Sequence, residues 1–94
     1  MYRYIDMSSS SLVLLRLFEQ ASRKKLLREL LDDLFTPAEI EDFALRWRII
    51  QELHSGAPQR SIAQKLHVSL SKITRGSRVL LNNRGAFTRL LHKK

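Results

Sequence analysis

The segment Gln59–Val79 constrains the fold more than any other part of the chain, because it has the pattern of two short helices joined by a tight turn. Ile62 and Leu66 share one face of the first predicted helix, and Ile73 continues the apolar spacing in the second. Ser69 stands where its hydroxyl can cap the second helix. The pattern predicts a helix-turn-helix motif, whose second helix lies in the major groove of DNA.

The charge distribution favours a nucleic-acid partner for this segment. Residues 59–94 contain nine Lys or Arg and no Asp or Glu, whereas residues 1–58 contain eight basic and nine acidic residues. The two parts therefore carry +9 and −1, which together give the net charge of +8. Because Lys and Arg neutralise phosphate groups and the motif reads the major groove, double-stranded DNA is the predicted partner. A basic surface that is merely solvated is the alternative, which the coincidence with a helix-turn-helix disfavours.

Composition narrows the class of protein. No apolar run approaches the roughly 20 residues of a membrane-spanning helix, so no membrane partner is expected. The chain has no Cys, and His54, His67 and His92 are scattered, so no metal site is predicted. The basic half holds no carboxylate cluster or paired nucleophile and base, which disfavours an enzyme. We expect an intracellular, cytoplasmic binding protein.

Helical spacing runs through the first half of the chain, so the predicted fold class is all-α with six helices. Residues 1–10 are polar and predict a flexible N-terminal arm, and residues 11–94 predict a single domain. Residues 22–25 are basic and predict a kink or a turn between two apolar helices. The apolar positions of these two helices are Leu12, Leu15, Phe18, Ala21, Leu26, Leu27, Leu30, Leu31 and Leu34.

The third helix has the clearest start signal in the chain. Thr36 predicts the N-cap, Pro37 the first helical position, and Glu39 completes a capping box. Gly56 predicts the end of the same helix. Its predicted inward face is Ile40, Phe43, Ala44, Trp47 and Ile50, with Leu45, Ile49 and Leu53 as a second apolar flank.

These leucine-rich helices offer more apolar surface than a small DNA-binding head can cover, so we expect a second copy of the chain to cover it. In this homodimer, residues 11–56 and 84–92 form the dimer core and residues 59–80 form the helix-turn-helix. A two-fold dimer presents two recognition helices to a palindromic site, with half-sites about 34 Å or a multiple of that distance apart.

The motif also predicts which residues contact DNA. Gln59 and Arg60 begin its first helix, where side chains and backbone N–H groups can bind phosphates. The residues expected to face base edges or phosphates from the second helix are Ser69, Leu70, Ser71, Lys72, Thr74 and Arg75.

Two residues depart from what a regular helix-turn-helix prefers. His67 occupies the turn, where the backbone tends toward positive φ at a cost of about 1 kcal/mol for a residue other than glycine. Gly76 lies within the predicted second helix, where glycine costs roughly 1 kcal/mol relative to alanine. Spacing alone leaves two interpretations of Gly76, a close approach to the backbone or the end of the helix.

Three segments together resemble the bacterial tryptophan operon repressor family. They are TPAEIEDFALRWRIIQEL, QRSIAQKL and ITRGS, within residues 31–81. The resemblance implies an intertwined, all-helical homodimer that represses transcription and takes L-tryptophan as corepressor, with no other cofactor. The ligand would lie between the core and the DNA-reading head and would set the spacing of the two recognition helices.

The same resemblance implies the residues of a tryptophan site. Arg46 and Arg75 would stack on the two faces of the indole ring, and Arg75 would also pair with the ligand carboxylate. Thr36 would line the pocket, and Gly76 would leave room for the ring. The plainer interpretation of Arg46 is a surface ion pair with an acid of its own helix, Asp42 or Glu39.

The ammonium group of the ligand would be held from the partner chain. The resemblance assigns this role to backbone carbonyls of the partner's Asp33 and the partner's Phe35.

Val79 stands where the family has a serine that helps to bind the ammonium group. This difference motivates a second hypothesis, a DNA-binding regulator of the same fold that does not use tryptophan. A helical module that binds RNA or an acidic protein is a third, which the expected lack of exposed aromatic residues for base stacking disfavours.

Overall fold

The structure, a computed structural model, describes residues 9–92, and every regular element in that range is a helix. The helices are α1 (Ser9–Arg23), α2 (Leu27–Leu34), α3 (Pro37–His54), α4 (Gln59–Leu66), α5 (Leu70–Leu80) and α6 (Ala86–Leu91). The predicted all-α class with six helices is confirmed for these residues. The predicted arm, residues 1–10, lies outside the described residues except for Ser9 and Ser10, which belong to α1.

The chain divides into two compact units, Met1–Ile40 and Glu41–Lys94. Helix α3 begins in the first unit and continues through the second. None of the helices in residues 9–92 combines the length and apolar character that crossing a bilayer requires.

In the first unit, α1 and α2 are joined by a tight turn. Leu26 N–H donates to the Ala21 carbonyl at 2.8 Å, and Lys25 adopts a positive φ of 61°. Ala21 is buried, but many large apolar side chains of these two helices are exposed. Between 38 and 64% of each of the following is accessible in the single chain: Leu12, Val13, Leu14, Leu15, Leu26, Leu27, Leu31 and Leu34.

Helix α3 starts as its capping box predicts. The Glu39 backbone N–H donates to Thr36 Oγ1 at 3.1 Å, and the Thr36 N–H donates to Glu39 Oε1 at 2.9 Å. Pro37 is the first helical residue, where its missing N–H removes no hydrogen bond. The other end also follows prediction, because α3 stops at His54 and Gly56 adopts a φ of 94°.

The core of the second unit forms where the helix-turn-helix packs against α3. Ile49 of α3, Ile62 of α4 and Ile73 of α5 are buried together. The half-buried residues packed against them are Leu45, Leu53, Ala57, Ala63, Leu66 and Val68.

Packing within one chain covers a different side of α3 from the predicted inward face. Ile50 is buried as expected, but Phe43 and Ala44 are exposed and Trp47 is half-buried. The predicted second flank, represented by Ile49, meets the helix-turn-helix instead. Helix α3 is apolar over much of its circumference, so the pattern alone did not decide which side meets α4 and α5.

The turn between α4 and α5 has the geometry that the motif requires. His67 adopts φ 57° and ψ 48°, the left-handed conformation, and the Val68 N–H donates to the Ala63 carbonyl at 3.1 Å. Ser69 is the N-cap of α5, and its Oγ accepts from the Lys72 N–H at 3.4 Å. The helix-turn-helix is therefore formed with a histidine in the position that favours glycine.

Candidate DNA-binding surface and ligand cavity

The residues predicted to contact DNA share the start of α4 and the first turns of α5. All of them are exposed: Gln59, Arg60, Ser69, Leu70, Ser71, Lys72, Thr74 and Arg75. Leu70 is 47% accessible, an apolar side chain in an otherwise polar surface. Such a side chain is suited to contact with a thymine methyl group.

Local hydrogen bonds hold several of these side chains in place. Gln59 Nε2 lies 3.4 Å from Ser77 Oγ, which links the start of α4 to α5. Thr74 Oγ1 donates to the Leu70 carbonyl at 3.0 Å. The surface that would meet DNA is therefore partly ordered by its own contacts.

The cations of this unit differ in whether an acid neutralises them. Lys65 Nζ lies 2.7 Å from Glu52 Oε2, an ion pair that ties α4 to α3. Arg60 and Arg78 make no ion pair with any other residue in the described range 9–92. Unneutralised cations that flank the recognition helix are the groups available to DNA phosphates.

A cavity of about 430 Å³ lies within the second unit, between α3, α5 and α6. Most of its wall is apolar, and four charged side chains complete it. Its lining residues are Asp42, Phe43, Leu45, Arg46, Ile49, Ile50, Lys72, Arg75, Gly76, Val79 and Phe87. Apolar walls with a few converging polar groups, at this volume, are typical of small-molecule sites.

One carboxylate connects two of the three cations that line the cavity. Asp42 Oδ2 lies 3.2 Å from Arg46 Nη2, and Asp42 Oδ1 lies 3.6 Å from Lys72 Nζ. The Arg46 guanidinium also lies 5.2 Å from the centroid of the Phe43 ring, within cation–π range. Arg75 forms no ion pair with another described residue, so it is the lining cation that is open to an anionic ligand.

Gly76 lies inside α5 and is buried, so the interpretation that it ends the helix is wrong. A Cβ added at this position would lie 3.0 Å from Ile49 Cγ2, 3.2 Å from Leu53 Cδ1 and 3.4 Å from Ile50 Cδ1. The close approach is therefore made by side chains of α3. Glycine at this position lets α5 pack against α3 at the cavity wall.

Four of the predicted tryptophan-binding residues line the same cavity: Arg46, Arg75, Gly76 and Val79. Arg46 also forms the ion pair with Asp42 that its plainer interpretation predicted. Lys72, which was predicted only as a DNA contact, also lines the cavity. The cavity therefore adjoins the start of the recognition helix.

The other three predicted ligand residues, Asp33, Phe35 and Thr36, belong to the first unit. Thr36 has a structural function as the N-cap of α3, and Asp33 and Phe35 lie at the end of α2 and just after it. Their contacts with a ligand stay predictions.

Sequence reasoning missed several residues of the cavity wall. Asp42 and Phe43 precede Arg46 by four and three positions on α3, so helical spacing could have found them once Arg46 was assigned. Phe87 comes from α6, where its ring lies 5.3 Å from that of Trp47. No local signal marks Phe87 as a cavity residue, because only packing of α6 brings it there.

Comparison with known proteins identifies the family of this chain. The Trp operon repressor homolog of Chlamydia trachomatis serovar L2 is 36% identical over 81 residues, which cover 85% of this chain and 86% of that protein. The Trp operon repressor homolog of Xylella fastidiosa strain M23 is 44% identical over 55 residues, 57% of this chain and 60% of that protein. No solved structure gives a significant match. The family model for the Trp repressor protein matches residues 10–94, and the chain therefore belongs to the Trp repressor family of DNA-binding transcriptional regulators.

Proposed function

We propose that this protein represses transcription from specific operators as a homodimer, with L-tryptophan as its corepressor. The regulated genes would then be those of tryptophan biosynthesis or transport. The observation that carries the proposal is the cavity beside the recognition helix, where two arginines and apolar walls face one space.

The chemistry of the cavity suits an aromatic amino acid. Guanidinium groups stack on aromatic rings, and Arg46 and Arg75 both line the space. The open cation, Arg75, offers a forked pair of donors to a carboxylate. Phe87, Val79 and the buried Ile49 supply the apolar contact for a ring system.

Ligand binding would act on DNA binding through α5. Four lining residues, Lys72, Arg75, Gly76 and Val79, belong to this helix, and Lys72 and Arg75 are also predicted DNA contacts. A ligand that contacts both α3 and α5 favours whichever placement of α5 it binds better. The operator affinity then rises by as much as the ligand prefers the DNA-competent placement.

The exposed apolar surface of α1 and α2 supports the proposed homodimer. Large apolar patches on a soluble chain mark surfaces that another molecule covers. We expect sedimentation equilibrium to give twice the chain mass of 11.0 kDa at micromolar concentration. A purely monomeric protein at that concentration would contradict the dimer.

Selection of DNA from a random pool, with and without L-tryptophan, tests the function directly. The expected result is a palindromic consensus that is enriched strongly only when L-tryptophan is present. The same palindrome recovered equally well without the amino acid would contradict the corepressor. Recovery of no consensus in either condition would contradict sequence-specific DNA binding.

Val79 favours a second candidate function, a regulator of this family that does not respond to tryptophan. Its side chain has no hydrogen-bonding group, and it lines the cavity where a hydroxyl would help to hold an ammonium group. Titration with L-tryptophan by calorimetry separates the two candidates. Absence of heat at millimolar ligand, in a protein that still selects a palindrome, would favour the second.

A further inference from the structure

The cavity contains a charge imbalance that bears on which ligands it accepts. Arg46, Lys72 and Arg75 are cationic lining residues, and Asp42 is the only acidic one among the described residues of the wall. An ammonium group inside the cavity would be repelled by three cations and attracted by one carboxylate. A carboxylate ligand without an amine would be attracted by the three cations and repelled by the one acid. The cavity without Asp42 would therefore favour ligands that lack an amine.

The α5 side of the wall offers no side chain that accepts a hydrogen bond. Its lining residues are Lys72, Arg75, Gly76 and Val79, of which the first two only donate and the last two are apolar. The α3 side contributes Asp42 as its one acceptor side chain in the lining set. Among the lining side chains, recognition of an amine therefore falls to Asp42.

The geometry of Asp42 leaves room for such a contact. Its two oxygens face different cations, Arg46 at 3.2 Å and Lys72 at 3.6 Å. A carboxylate has about four acceptor positions, so two partners do not saturate it. The side chain is 42% accessible and Lys72 is 54% accessible, and ion pairs this exposed exchange partners at little cost.

We propose that Asp42 selects ligands that carry an amino group, by holding the ligand ammonium group while Arg75 takes the carboxylate. The ligand class is an α-amino acid with a large apolar side chain. This assignment rests on the proposed tryptophan function, and it adds a side-chain partner for the ammonium group to the backbone carbonyls that the family resemblance assigns. It also links the ligand to DNA binding, since the ammonium group would share the Asp42 carboxylate with Lys72 of the recognition helix.

Two ligands that differ only in the amine test this assignment. L-tryptophan and indole-3-propionate are titrated by calorimetry into the wild-type protein, Asp42→Asn and the control Glu41→Gln. Glu41 is the neighbouring acid on α3, and it does not line the cavity. Glu41→Gln therefore removes one negative charge, as Asp42→Asn does, but from a position outside the cavity. Circular dichroism confirms that each variant is folded.

The wild-type protein and Glu41→Gln should bind L-tryptophan about tenfold or more tightly than indole-3-propionate, because a charged hydrogen bond has roughly that effect on affinity. Asp42→Asn should reduce the ratio to about one, with weaker binding of L-tryptophan and equal or tighter binding of the propionate. An unchanged ratio in Asp42→Asn, or a wild-type protein without any preference, overturns the role of Asp42 alone. A wild-type protein that binds neither ligand overturns the tryptophan site and the Asp42 assignment together.

Discussion

Arg75→Ala is expected to lower the affinity for L-tryptophan by about 100-fold or more and to weaken operator binding as well. Arg75 is the lining cation without an acidic partner in the described chain, so it can give its full fork of donors to the ligand carboxylate. Charged hydrogen bonds contribute about 1.5–3 kcal/mol, and 2.8 kcal/mol is roughly 100-fold in affinity. Loss of stacking on the indole ring adds to this effect.

The loss of operator binding in Arg75→Ala has two causes, and titration with L-tryptophan isolates the loss of the corepressor contact. Arg75 is exposed near the start of the recognition helix, so its removal takes away both a DNA contact and the corepressor contact. Arg78→Ala removes the same charge one turn later on α5, outside the cavity lining. We expect Arg78→Ala to titrate with L-tryptophan like the wild type. Normal tryptophan binding by Arg75→Ala would contradict the ligand site.

Local signals in the sequence located the ends of the helices well. The capping box of Thr36 and Glu39, the left-handed turn at His67 and the cap at Ser69 all lie where they were predicted. Each depends on the conformation of only a few neighbouring residues. The family resemblance predicted four residues that line the cavity, including Arg46 and Arg75.

Features that depend on packing between distant segments could not be predicted in this way. Asp42 and Lys72 are 30 positions apart in the chain, and an acid on an amphipathic helix is usually a solvated surface residue. Only the approach of α5 to α3 makes Asp42 part of the cavity wall. The same approach explains Gly76, since the atoms that its missing Cβ would meet belong to α3.

Gly76→Ala is expected to lower the free energy of unfolding by up to about 2 kcal/mol, even though alanine is the better helix former by roughly 1 kcal/mol. The new Cβ would lie 3.0 Å from Ile49 Cγ2 and 3.2 Å from Leu53 Cδ1, so either these side chains or α5 itself must shift. Overpacking of this kind costs typically about 1–3 kcal/mol. Thermal unfolding at fixed protein concentration should show a midpoint lower by up to roughly 15 °C.

A double-mutant cycle connects this loss to the contact with Ile49. Ile49→Ala removes the clashing methyl group, so it should cost about 0.5–3 kcal/mol less in the Gly76→Ala background than in the wild type. Gly56→Ala is the matched control, because a Cβ there meets nothing within 4 Å and its cost comes from the positive φ of 94°. Ile49→Ala should therefore cost the same with or without Gly56→Ala. Equal coupling in both backgrounds would mean that α5 does not depend on glycine to approach α3, and the cavity wall would need a different explanation.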